Sequence, residues 1–96
     1  MADERAGIYF TADAAEAFYE LPDESQRRLA DFLEGERRKL EWTRGAAQDD
    51  LAAEWEPGHQ VFWQIRLKPK YHARRKGIDT PGAVYRIEVL AIRNTS

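Results

Sequence analysis

Apolar positions along the chain change period once, and the change divides it in two: helical spacing in the first part, strict alternation after Gln60. The run Ile8-Tyr9-Phe10 is short and rich in strand formers, and Thr11 closes it with a hydroxyl suited to capping a following helix. Across residues 12–21, Ala15, Phe18 and Tyr19 fall on one helical face, and Asp13 occupies the first turn, where the helix dipole favours an acid. Pro22 interrupts the pattern. Asp23 followed by Gln26 has the form of a capping box. Leu29, Phe32, Leu33 and Leu40 then share a face, with Glu34 and Arg38 paired four apart on another. These spacings predict a second helix over 23–42, weakest at Gly35, and an antiparallel helix hairpin.

Residues 43–58 are mostly polar and end in the turn signal Pro57-Gly58, which predicts a loop with at most one helical turn. Beyond it, Val61, Trp63, Ile65 and Leu67 alternate with Phe62, Gln64, Arg66 and Lys68. Tyr85, Ile87, Val89 and Ala91 alternate in the same way with Arg86, Glu88, Leu90 and Ile92, a β-branched run that reads as a central strand. The polar connection 68–82, punctuated by Pro69 and Thr80-Pro81-Gly82, is of a length usually functional or mobile. The order strand, helix, helix, strands predicts an α+β fold: one domain over 1–96, with a short N-terminal strand and a two-helix hairpin packed on a small, mainly antiparallel sheet.

Composition narrows the function. At 96 residues and 43% hydrophobic, the chain has enough apolar surface for one core. Without cysteine it has no disulfide, zinc ribbon, iron–sulfur cluster or thiol chemistry. The opening Met1–Gly7 is charged and carries no apolar stretch, so a cytoplasmic protein with no membrane partner is expected. Net charge is only −2, yet it is unevenly spread. Residues 1–58 carry 15 acidic and 7 basic side chains, whereas residues 59–96 carry 8 basic and 2 acidic ones. The second part therefore has the electrostatic character of a phosphate-binding surface.

Two segments resemble a known family. Tyr9-Phe10-Thr11-Ala12-Asp13-Ala14, followed by Leu21-Pro22-Asp23-Glu24-Ser25-Gln26-Arg27-Arg28-Leu29, is similar to the opening of RelE/ParE-superfamily toxins, in which a short strand leads through F-T-x-x-A into a helix, L-P and a second helix. The closing run Tyr85–Arg93 is similar to that family's last sheet strand. The resemblance implies a bacterial toxin of a type II toxin–antitoxin pair, neutralised by a cognate helical antitoxin. Its activity would be ribosome-dependent, metal-independent cleavage of mRNA, which inhibits translation. The alternative it implies is a catalytically silent or ParE-like, gyrase-directed protein-binding toxin. The acidic balance, the long 68–82 connection and the Asn94-Thr95-Ser96 ending depart from the RelE pattern; the first and last of these favour that alternative.

The resemblance carries Arg66, Lys68 and Arg93 over as catalytic positions. Metal-free RNA cleavage needs a base for the 2′-hydroxyl, cations for the charge developing at phosphorus and an acid for the leaving oxygen. Arg66, Lys68 and Arg86 are the cations that strand alternation places on a polar sheet face, and His72 is the imidazole flanked by cations. Lys70, Tyr71, Arg74, Arg75 and Lys76 form the RNA-binding set, with Tyr71 available to stack on a base. The competing structural reading pairs Arg66 and Arg86 with Glu88 and similar carboxylates on a solvated face. A further reading is a small nucleic-acid-binding protein that uses the 68–82 segment. No metal site or cofactor is expected, since neither a Gly-rich phosphate loop nor metal-spaced ligands occur. Trp63 is assigned to the core, Trp42 and Trp55 to the helix hairpin or a partner interface, and His59 to a turn without function. Phe62, Leu90 and Ile92 on the face opposite the core predict a covering segment, a partner or self-association.

Overall fold

The structure, a computed structural model, describes residues 3–5, 7–40, 42, 47–69 and 85–95. Its elements in chain order are β1 (Asp3–Arg5), β2 (Ile8–Phe10), α1 (Ala12–Tyr19), α2 (Asp23–Leu40), β3 (Gln48–Glu56), β4 (His59–Leu67) and β5 (Tyr85–Asn94). The strands form one five-stranded sheet in the order β1-β2-β5-β4-β3. β2 runs parallel to β5, and every other pair is antiparallel. The architecture is the expected α+β arrangement, with both helices packed on the sheet.

Local chemistry sets the helix boundaries. Thr11 is extended and accepts the Ala14 N–H on its hydroxyl at 3.2 Å, capping α1. α2 starts where the Pro22 carbonyl takes the Gln26 N–H at 3.0 Å. The capping box does not form as drawn: Gln26 donates its side-chain amide to the Leu21 carbonyl at 2.9 Å, tying α2 to the end of α1. Acids in the first turn of α2 and Arg37, Arg38 and Lys39 in the last complement its dipole. The described helix runs to Leu40, the expected limit Trp42 lies in a turn, and Gly35 sits inside the helix on the exposed side.

The core lies between α2 and the facing side of β4 and β5. Leu29, Leu33, Val61, Ile87 and Val89 are fully buried there, joined by Trp63, Ile65, Leu67, Tyr85 and Leu40. Phe32 meets Trp63 edge-on at 5.6 Å, and Phe10 packs on Phe18 at 5.1 Å, which anchors α1. Burial on α1 falls on Ala14 and Ala15, while Tyr19, expected on the packed face, is 54% exposed. Tyr19 is the last residue of α1, and its ring meets Phe18 edge-on at 5.3 Å.

Three parts of the sheet differ from expectation. β1 is an added strand that the polar segment Asp3–Arg5 does not announce. The segment expected to be a loop is β3, which forms a hairpin with β4 through Pro57-Gly58, where Gly58 takes a φ of 84°. Leu51, Ala53 and Trp55 pack on the core, but a bulge between Gln48 and Leu51, with Asp50 at φ 57°, hides the alternation at the start of the strand. In β5 the pairing skips Leu90: Phe62 faces Ala91 and Trp63 faces Val89. One extra residue reverses the faces beyond it, so Ile92 pairs with Val61 and packs on the core while Ala91 faces away. Of the three side chains expected on the bare face, Leu90 is 40% exposed, Phe62 is half-buried and Ile92 does not belong there.

A candidate nucleic-acid interface on the open sheet face

The side of the sheet away from the core carries no described helix, and its register orders the polar side chains in rows. Arg66 of β4 stands opposite Arg86 of β5, and Lys68 follows the last residue of β4, outside the pairing. The next row is Gln64, Glu88 and Tyr9, followed by Ala52, Phe62 and Ala91, and then Glu54, Gln60 and Arg93. Period two puts Arg66 and Arg86 each on this side of its strand, and the pairing sets them opposite.

The two opposed arginines are held differently. Arg66 forms an ion pair with Asp49 and donates to the Gln48 and Ile65 carbonyls, both at 3.0 Å. Asp49 lies within the β3 irregularity, between the Gln48 and Leu51 pairings. Arg86 donates from Nε to Glu88 Oε2 at 2.9 Å and lies over the Tyr9 ring, 4.2 Å from its centre. Gln64 donates to the other Glu88 oxygen at 2.8 Å. Arg86 retains only 11% of its side-chain surface, whereas Arg66 retains 37%. Both arginines thus have the carboxylates of the structural reading, while their placement on one face is that of the functional reading.

Arg93 reaches the same face at the far end. Strict alternation from Val89 would send it toward the core, and the bulge at Leu90 turns it outward, where its guanidinium lies over Phe62 at 5.5 Å. Six strand steps, about 20 Å, separate it from Arg86. Of the cations assigned as catalytic, Arg66, Arg86 and Arg93 therefore share a face without converging on one phosphate, and Lys68 lies just past the end of β4. His72, Lys70, Tyr71, Arg74, Arg75 and Lys76 lie outside the described residues.

Residues that sequence reasoning passed over complete this face. Tyr9 was legible only as a strand former, and Asp49 belonged to a supposed loop; pairing across the sheet brings both to the arginines. His59 sits behind the turn as expected, stacked on Trp55 at 5.4 Å with Nδ1 2.9 Å from Glu56 Oε2. Ser25 donates to the same Glu56 oxygen at 2.6 Å, and Arg28 reaches Oε1 at 3.3 Å, so the hairpin is pinned to the start of α2. These contacts hold the Glu56 carboxyl below the usual glutamate range, the Ser25 hydrogen bond chief among them.

Among the described residues, no group of His, Cys, Asp and Glu is arranged to hold a metal ion. None of the described helices is long and apolar enough to cross a membrane. No protein-family model, curated protein or solved structure matches the chain at a significant level.

Proposed function

We propose that the chain is a bacterial cytoplasmic toxin of the RelE/ParE kind, which inhibits translation by taking mRNA on the ribosome against its open sheet face and is neutralised by a helical antitoxin. The observation that carries this reading is the opposed pair Arg66 and Arg86, with Tyr9 against Arg86, on a face free of described helices. Arginines prearranged by carboxylates can exchange those partners for phosphate oxygens, and an aromatic next to them offers a base a stacking surface. The order β2-α1-α2-β3-β4-β5 agrees with the strand, helix, L-P, helix and closing strands on which the resemblance rests. In metal-independent cleavage, Arg66 and Lys68 would stabilise the charge developing at phosphorus. Proton transfer would fall to His72, in the basic segment.

The alternative is a protein-directed, gyrase-type toxin. The enclosure of Arg86 and the 86% exposure of Trp42 favour it, since a confined arginine is a poor catalytic cation and an exposed tryptophan is a common anchor for a protein partner.

Cell-free translation with the purified protein, with new mRNA 5′ ends mapped by primer extension, separates the two. Codon-phased cuts that vanish in Arg66→Ala establish the nuclease. Intact mRNA and normal translation reject it and move the test to gyrase.

A further inference from the structure

At the end of the open face remote from Arg66, the chemistry changes. Arg66 and Arg86 are each engaged by a carboxylate, but the contact made by Arg93 is with a ring, Phe62, and among the described residues it has no ion pair. The carboxylate of its own row, Glu54, is occupied: it accepts the Gly58 N–H at 3.0 Å and the Thr95 hydroxyl at 3.5 Å. Arg93 is exposed and Phe62 half-buried, with the small side chains Ala52 and Ala91 on either side of the ring. A guanidinium held against a ring, with no carboxylate on it, keeps its N–H donors available to a phosphate. Small neighbours leave room for a flat group alongside the ring.

We propose that Phe62 and Arg93 form a second nucleotide subsite, at which a single-stranded RNA running along β4 and β5 from Arg66 stacks a base beside Phe62 and places a phosphate on the edge of Arg93. This rests on the RNA-binding reading above and extends it: the bound strand spans the roughly 20 Å between the two ends of the face, so recognition requires several nucleotides. The bulge at Leu90 is what creates the subsite, because it brings Arg93 to the side of the sheet that carries Phe62.

Fluorescence anisotropy with end-labelled oligoribonucleotides of about two to about eight nucleotides tests it, with salt titrations of the wild type, Phe62→Leu, Phe62→Tyr, Arg93→Ala and Arg66→Ala. The expected wild-type affinity rises with length until the oligomer reaches both ends, then levels. Phe62→Leu should weaken the long oligomer about tenfold at an unchanged salt slope and leave the short one alone, and Phe62→Tyr should restore the loss. Arg93→Ala should lower the salt slope by about one on the long oligomer only. Long-oligomer binding that depends on Arg66 but is untouched in both Phe62→Leu and Arg93→Ala overturns the subsite and leaves the RNA-binding reading standing. Absence of wild-type binding at every length overturns both. Circular dichroism of Phe62→Leu distinguishes a lost contact from a lost fold, and Arg93→Ala, at an exposed position, decides the matter if that variant does not fold.

Discussion

Arg66 and Arg86 face each other directly across β4 and β5, and each is turned to a carboxylate of its own, Asp49 for the first and Glu88 for the second. Like charges opposite one another in a sheet repel, so the two acids are what make the pair tolerable. The Arg86–Glu88 pair is the more exacting, with 11% and 16% of the two side chains exposed. Removing one partner of a nearly buried ion pair strands the other. Glu88→Ala should therefore cost about 3 kcal/mol in urea unfolding, and Glu88→Leu combined with Arg86→Met should recover most of it. A loss below about 1 kcal/mol for Glu88→Ala would show that Arg86 is solvated without it.

The bulge at Leu90 makes a sharper claim about faces. Alternation from Tyr85 puts Ala91 inside and Ile92 outside, and the observed register reverses both. Ile92→Lys should cost about 2–4 kcal/mol by forcing a charge toward Val61, whereas Ala91→Lys should stay within about 1 kcal/mol of the wild type. The opposite ranking, read from thermal unfolding of the two variants, would restore the unbroken strand.

The same bulge marks where sequence reading stops. α2 was legible because Leu29 and Leu33 repeat at helical spacing, and β4 because nothing interrupts its alternation. β3 was not, since Asp49 and Asp50 precede its apolar positions and one of them is the bulge residue. The grouping of Arg66 with Arg86 followed from period two in each strand. Their partners did not, because Asp49 and Tyr9 arrive from other strands through pairing that no local pattern encodes. Arg93 was singled out by the resemblance, but its position depends on one inserted residue, and an insertion leaves no periodic trace.

Acid should loosen the hairpin. Glu56 is held below the ordinary glutamate range by Ser25 first, and also by Arg28 and His59, and Glu34 is held down chiefly by its hydrogen bonds with Arg37. A carboxyl with a lowered folded-state pKa binds fewer protons folded than unfolded, so its stabilising effect is complete above the unfolded value and is lost as pH falls through the folded one. Stability should accordingly decline below about pH 4, and Glu56→Gln, less stable at pH 7, should show a shallower decline. Urea midpoints between about pH 3 and about pH 7 that run parallel for the two proteins would remove Glu56 from the acid response.

Trp42 tests the protein-directed alternative from the other side of the molecule. Its side chain is 86% exposed just past the end of α2, where its N–H donates to the Lys39 carbonyl at 3.3 Å, while Trp63 is buried in the core and Trp55 is half-buried. Fluorescence readily quenched by acrylamide should therefore come from Trp42. Trp42→Phe should remove that component and leave the unfolding midpoint within about 0.5 kcal/mol of the wild type. A large loss of stability would mean that the ring packs in solution. If the fold is indifferent to the ring, protection of Trp42 from quencher on mixing with gyrase would place the partner at this end of α2, on the helical side of the sheet. Unchanged quenching on mixing would leave the open sheet face as the surface to pursue.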